Sequence, residues 1–191
     1  MTFRHGFKVQ ANRIAVEVRG DLGLLPTSPL DQWQVCDHLD IEVFKLSELS
    51  GPKGEKVGRH FLEVEKEMFS GMVLPLGIRT AIVHNDAHVP VRQRSNLFHE
   101  LSHLFLGHPI DPLVSADGTI NRDRAIEDEA AFLGGCLAIP NEAACHIVNL
   151  AMQASAARMY QVSPAMLNFR LQVSGAIQIA ARRARKQITA K

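Results

Sequence analysis

The chain has almost no net charge: 21 Lys and Arg against 20 Asp and Glu leave +1 over 191 residues. It therefore has no broad field to draw it onto nucleic acid or an anionic membrane surface. Cysteine is scarce. Cys36, Cys136 and Cys145 are odd in number and lack Cys-x-x-Cys spacing, which excludes a disulfide framework and predicts buried thiols in a reducing compartment. No apolar run approaches the roughly 20 residues of a membrane-spanning helix. The first residues, Met1 to Lys8, lack the continuous apolar stretch of a secretory leader. These absences predict a cytoplasmic protein. There is no internal repeat and no low-complexity segment, and 46% hydrophobic content suffices for one sizeable core with an appendage.

Against that plain background one segment stands out, His99-Glu100-Leu101-Ser102-His103. At about 100° per residue the two histidines lie about 40° apart on one helical face, close enough for both rings to reach one metal ion. Glu100 points beside that ion, where it can act as a general base toward water. The pattern is that of zinc peptidases. Leu97, Phe98, Leu101, Leu104 and Phe105 make the helix apolar enough to be buried, and Ser95 is a candidate cap for its start. A buried helix that carries two histidines and a glutamate needs a use for them, because unpaired buried polar groups are costly.

A third protein ligand is required. A third histidine at position 109 would complete the extended His-x-x-Gly-x-x-His pattern, but that residue is Pro109, and His108 lies about 140° around the helix from His103. His108 reads as a helix-end residue. The better donor lies in the segment Ile126 to Pro140. Steps of three and four from Ile126 reach Glu129, Ala130, Leu133, Cys136 and Leu137, an apolar face broken only by Glu129. Glu129 is the expected third ligand, with Glu127 in reserve, beside an open fourth coordination position. Cys136 reads as core packing.

The run Arg92 to Leu106 containing His-Glu-x-x-His, followed by Glu127-Asp128-Glu129-Ala130-Ala131-Phe132 and Leu137-Ala138-Ile139-Pro140, resembles the ImmA/IrrE family of metallopeptidases. The likeness extends to residues 6–49. Ser102 stands where the family has glycine, Ala131 where it has asparagine, and Ile139 where it has methionine. The resemblance implies an α+β, zincin-like metallopeptidase domain with a small twisted sheet over residues 1–140. It implies Zn2+ as cofactor and cleavage of a regulatory protein inside the cell, typically a helix-turn-helix repressor of a stress-response or mobile-element operon.

Patterning fills in the rest. Residues 9–19 and 30–39 read as helices, 41–44 as a strand, and 50–58, rich in glycine, proline and charge, as a loop. Leu62, Val64 and 72–74 are candidate strand material. Residues 78–83 are the most β-prone run and a candidate edge strand for holding a peptide. Residues 109–121 read as a loop bordering the cleft. His84, His88, Arg92 and Tyr160 are candidates to stabilise an oxyanion.

Residues 141–191 read as a helical extension: a helix over 142–158, a turn, then Ser163 as cap and Pro164 at the first position of the next helix. This resembles a helix-turn-helix, and Arg182, Arg183, Arg185 and Lys186 follow it. Met166, Leu167, Phe169 and Leu171 make the second helix too apolar to read base edges, so packing or repressor docking is expected and direct nucleic-acid binding is not. The competing reading is a regulatory module with a structural metal, and Glu100 argues against it because a structural site needs no general base.

Overall fold

A computed structural model describes residues 3–109 and 123–189. Among these the order is α1 (Phe7–Asp21), α2 (Gln32–His38), β1 (Glu42–Lys45), α3 (Gly51–Arg59), β2 (Gly71–Leu76), β3 (Arg79–His84), α4 (Pro90–Leu106), α5 (Arg124–Ala138), α6 (Asn141–Asn149), α7 (Gln153–Met159), α8 (Pro164–Val173) and α9 (Ala176–Thr189). The fold is α+β, as expected. The segment 109–121 falls almost wholly outside the described residues.

The three strands form one mixed sheet in the order β1-β3-β2. β1 runs parallel to β3 with Glu42 opposite Ala81, and β2 runs antiparallel to it with Gly71 opposite His84. The β2–β3 hairpin turns through Gly77 at φ +63°, a positive φ that tight hairpins require and glycine adopts without strain. Ala81, Ile82 and Val83 are buried because β3 is the middle strand. This corrects the expectation of an edge at 78–83: β1 and β2 are the edges, and a β-prone run marks the strand paired on both sides.

Residues 50–58 also differ from expectation. They form helix α3, continued by a π-helical turn over His60–Val64, so Leu62 and Val64 are not strand. Pro52 sits in the first turn, where its missing N–H costs nothing. Gly58 lets the helix lie on the turn at Leu46, since a Cβ there would come within 2.9 Å of the Leu46 carbonyl. The helix expected over 142–158 is two, α6 and α7, broken where Ala151 takes φ +54°.

α4 packs on the sheet with one side and on α5 with the other, and α1 covers α5. A single buried cluster runs from Phe7 through Ile82, Leu97, Phe98, Leu101, Leu133 and Leu137 to Leu167, Leu171 and Ala176, so the C-terminal helices share the core with the rest. Two buried arginines tie backbone ends together. Arg19 donates to the carbonyls of Ala15, Ser28 and Leu137 at 2.8–2.9 Å, and burial lowers its pKa to about 10. Arg170 donates to Ile139 O at 2.7 Å and Asn141 Oδ1 at 2.9 Å, fixing the corner between α5 and α6. Among the described residues no single helix is long and apolar enough to cross a membrane.

Candidate metal centre

α4 starts at Pro90, five residues before Ser95. Pro90 occupies the first helical position, where its fixed φ is already helical and it has no N–H to satisfy, and Ser95, inside the helix, lines the cleft described below. The helix ends where Gly107 adopts the left-handed conformation at φ +64°, with His108 N donating to His103 O at 3.0 Å. His99 and His103 lie one turn apart with their ring centroids 4.8 Å apart. Ser102 is fully buried, and its hydroxyl is satisfied by Phe98 O at 2.6 Å. The side chain that replaces glycine is thereby accommodated.

α5 is capped by Asp123, whose carboxylate accepts from Ala125 N at 2.8 Å, and it runs close against α4. The contact passes through Gly134, where a Cβ would stand 3.3 Å from Phe98 O and 3.4 Å from His99 N. In line with Gly134, one and two turns toward the N-terminus, are Ala131 and Glu127. The carboxylate brought to the histidines is therefore that of Glu127. His99 Nε2 is 3.2 Å from Glu127 Oε2, His103 Nε2 is 3.8 Å from Glu127 Oε1, and the two Nε2 atoms are 3.1 Å apart. One donor atom from each residue falls in a group no more than 4.8 Å across.

That donor set fits a metal ion. Bonds of about 2.0–2.2 Å at tetrahedral angles separate neighbouring ligand atoms by about 3.3–3.6 Å. Two imidazole nitrogens and a carboxylate oxygen at 3.1–3.8 Å are close to that spacing before any ion draws them together.

Glu129, the residue preferred from sequence, is turned away. Its carboxylate accepts from Arg4 Nε at 3.0 and 3.3 Å and lies 3.7 Å from His108 Nε2. The apolar stripe pointed to it, but α5 is buried over nearly its whole circumference from Ala130 to Ala138, so apolarity does not single out one face. The usable signal was size. Helices that approach this closely need a small residue at the crossing, and Gly134 aligns with Glu127.

These residues open on a cleft of about 810 Å³ walled by β2 (Gly71, Met72, Val73), α4 (Ser95, Asn96, His99, Glu100, His103) and α5 (Glu127, Ala131, Gly134, Gly135), with Met166 from α8. Glu100 is mostly buried and lies against the first residue of β2, where a Cβ on Gly71 would be 3.2 Å from its Cγ. None of the four oxyanion candidates lines the cleft. Tyr160 donates to Thr27 O at 2.6 Å, Arg92 pairs with Glu67, and His88 bonds Lys66 O at 2.9 Å. His84 is buried against Trp33, and burial lowers its pKa. The polar side chain missed from sequence is Asn96, which shares the face of α4 with His99 and His103 and lines the cleft. Cys136 is fully buried outside the cleft, and burial raises its pKa to about 11, which leaves the thiol unreactive.

A mixed sheet backing a helix with His-Glu-x-x-His, joined by a glutamate from the next helix, defines a metallopeptidase-type domain. Residues 36–172, well over half of the chain, match the model of the peptidase family described as the IrrE N-terminal-like domain. The chain belongs to that ImmA/IrrE family. No curated protein matches it.

Proposed function

We propose that this protein is a zinc-dependent endopeptidase of the cytoplasm that cleaves a regulatory protein of the helix-turn-helix repressor kind. His99, His103 and Glu127 would hold the ion. The observation that carries the reading is Glu100, a carboxylate outside the ligand group that follows His99 in α4 and lines the same cleft as the histidines. A structural metal site would have no use for it or for the cleft.

A zinc ion held by these residues would supply Lewis acidity toward the scissile carbonyl and toward water in the cleft. Glu100 takes the proton from the attacking water and passes it to the amide nitrogen of the departing segment. β2 is an edge strand that lines the cleft through Gly71, Met72 and Val73, so an extended substrate segment can add alongside it with main-chain hydrogen bonds. Proline at 75 is tolerated on such an edge. α8 serves as packing for this domain rather than as a DNA-reading helix, because its Leu167, Arg170 and Leu171 are buried.

The test compares zinc-loaded protein with its Glu100→Gln variant, by labelling new amino termini in the proteome and then in the purified regulator encoded beside its gene. Glutamine keeps the shape but cannot accept the proton. Zinc binding should be unchanged and cleavage slower by about 10²- to 10⁴-fold. Equal cleavage by the variant would remove Glu100 from the mechanism, and no new termini with either protein would refute the peptidase reading.

A further inference from the structure

We propose that His108, backed by Glu129 and through it by Arg4, positions His103 for metal binding. These three residues lie outside the ligand set. The inference rests on the metal-site reading above and adds to it a chain of polar contacts from the N-terminal segment to one ligand.

The argument begins with the tautomer. His103 turns Nε2 toward His99 and Glu127, so this is the nitrogen that must offer its lone pair to the metal. A neutral imidazole has one N–H, and it then sits on Nδ1. His108 Nδ1 is 3.0 Å from His103 Nδ1 and accepts that hydrogen. His108 is left with its own hydrogen on Nε2, which faces Glu129 Oε2 at 3.7 Å. Glu129 is anchored in turn by Arg4 Nε at 3.0 and 3.3 Å. Each orientation determines the next.

Local structure explains why the residues meet. The left-handed turn at Gly107 folds the chain back, so that the His108 ring stands edge-on to His103 with centroids 5.0 Å apart at 69°. Phe3 and Phe7 pack on Phe132 of α5 at 5.0 and 5.8 Å, and this fastens Arg4 beside Glu129. The side chains of His108 and Glu129 are only 9% and 14% exposed, so water competes weakly for their partners. A carboxylate behind a histidine pair raises the donor strength of the ligating ring and holds its angle, and loss of such support weakens metal affinity by about 10- to 100-fold.

The experiment measures zinc affinity of the full chain by competition with a chromophoric chelator, alongside the visible spectrum of the Co2+-loaded protein. His108→Phe preserves ring packing and removes the acceptor; His108→Asn returns an acceptor oxygen near the Nδ1 position. The expected result is a loss of about 10- to 100-fold for His108→Phe, with an altered cobalt spectrum, and recovery of most of it in His108→Asn. Glu129→Gln keeps the Arg4 hydrogen bond without the charge and should weaken zinc several-fold even if His108→Phe fails to fold. Wild-type affinity in His108→Phe, in Glu129→Gln, or an equal loss in His108→Asn and His108→Phe would overturn the relay while leaving the metal site standing. A wild-type chain that takes up no zinc would overturn both.

Discussion

Gly134→Ala offers a quantitative test of the α4–α5 contact that brings Glu127 to the histidines. In an open helix the substitution stabilises by about 1 kcal/mol, because alanine loses less backbone entropy than glycine. At Gly134 the added methyl would stand 3.3 Å from Phe98 O and 3.4 Å from Phe98 C and His99 N. All three are backbone atoms of a helix packed on the sheet, so α4 and α5 must separate by a few tenths of an ångström. Overpacking of this kind costs about 1–3 kcal/mol. The net effect is destabilisation of about 0–2 kcal/mol, with the propensity gain already counted. Gly20→Ala is the control: it is helical and exposed, nothing lies within 4 Å of its Cβ position, and it should stabilise by about 0.5–1 kcal/mol. The assay is urea denaturation of both variants without metal, followed by zinc affinity. Gly134→Ala should bind zinc more weakly, since its shift separates His99 from Glu127, whereas Gly20→Ala should bind as wild type. Equal stabilisation by the two substitutions, with zinc affinity unchanged, would refute the close-approach argument.

Two further outcomes follow from the same geometry. In Gly71→Ala the methyl meets Glu100 Cγ at 3.2 Å and Val83 O at 3.3 Å; the strand backbone cannot yield, so Glu100 moves, and kcat should fall by about 10- to 100-fold with zinc content unchanged, a result that full activity would contradict. His84 is buried with neither ring nitrogen hydrogen-bonded, and burial holds its pKa below the ordinary 6.5. The unfolded chain therefore binds a proton first as pH falls through about 6.5, and stability declines below that value with a slope of at most about 1.4 kcal/mol per pH unit. His84→Phe should flatten that decline in metal-free urea titrations between pH 7.5 and 5.5, and an unchanged slope would exclude His84 as its source.

Local chemistry made part of this protein legible in its sequence. His99 and His103 share a face because four residues make about one helical turn, and Glu100 stands beside them for the same reason. Ser163 and Pro164 mark a helix start because a side-chain oxygen and a missing N–H meet the need of a first turn, and Ser163 does accept from Met166 N. The tertiary structure decided what depends on the other side of a contact. β-propensity in residues 78–83 said strand, but only pairing on both sides made β3 central and left β2 as an edge. Glycine and proline at 51–58 suggested a loop because their effect on an isolated chain is to break regularity; packing of Gly58 on Leu46 made a helix there instead. Glu127 and Glu129 look alike in sequence because both lie in the first two turns of one helix. Which of them faces the histidines was decided by how α5 lies against α4, and that contact passes through Gly134, which meets the backbone of Phe98 and His99 far away along the chain.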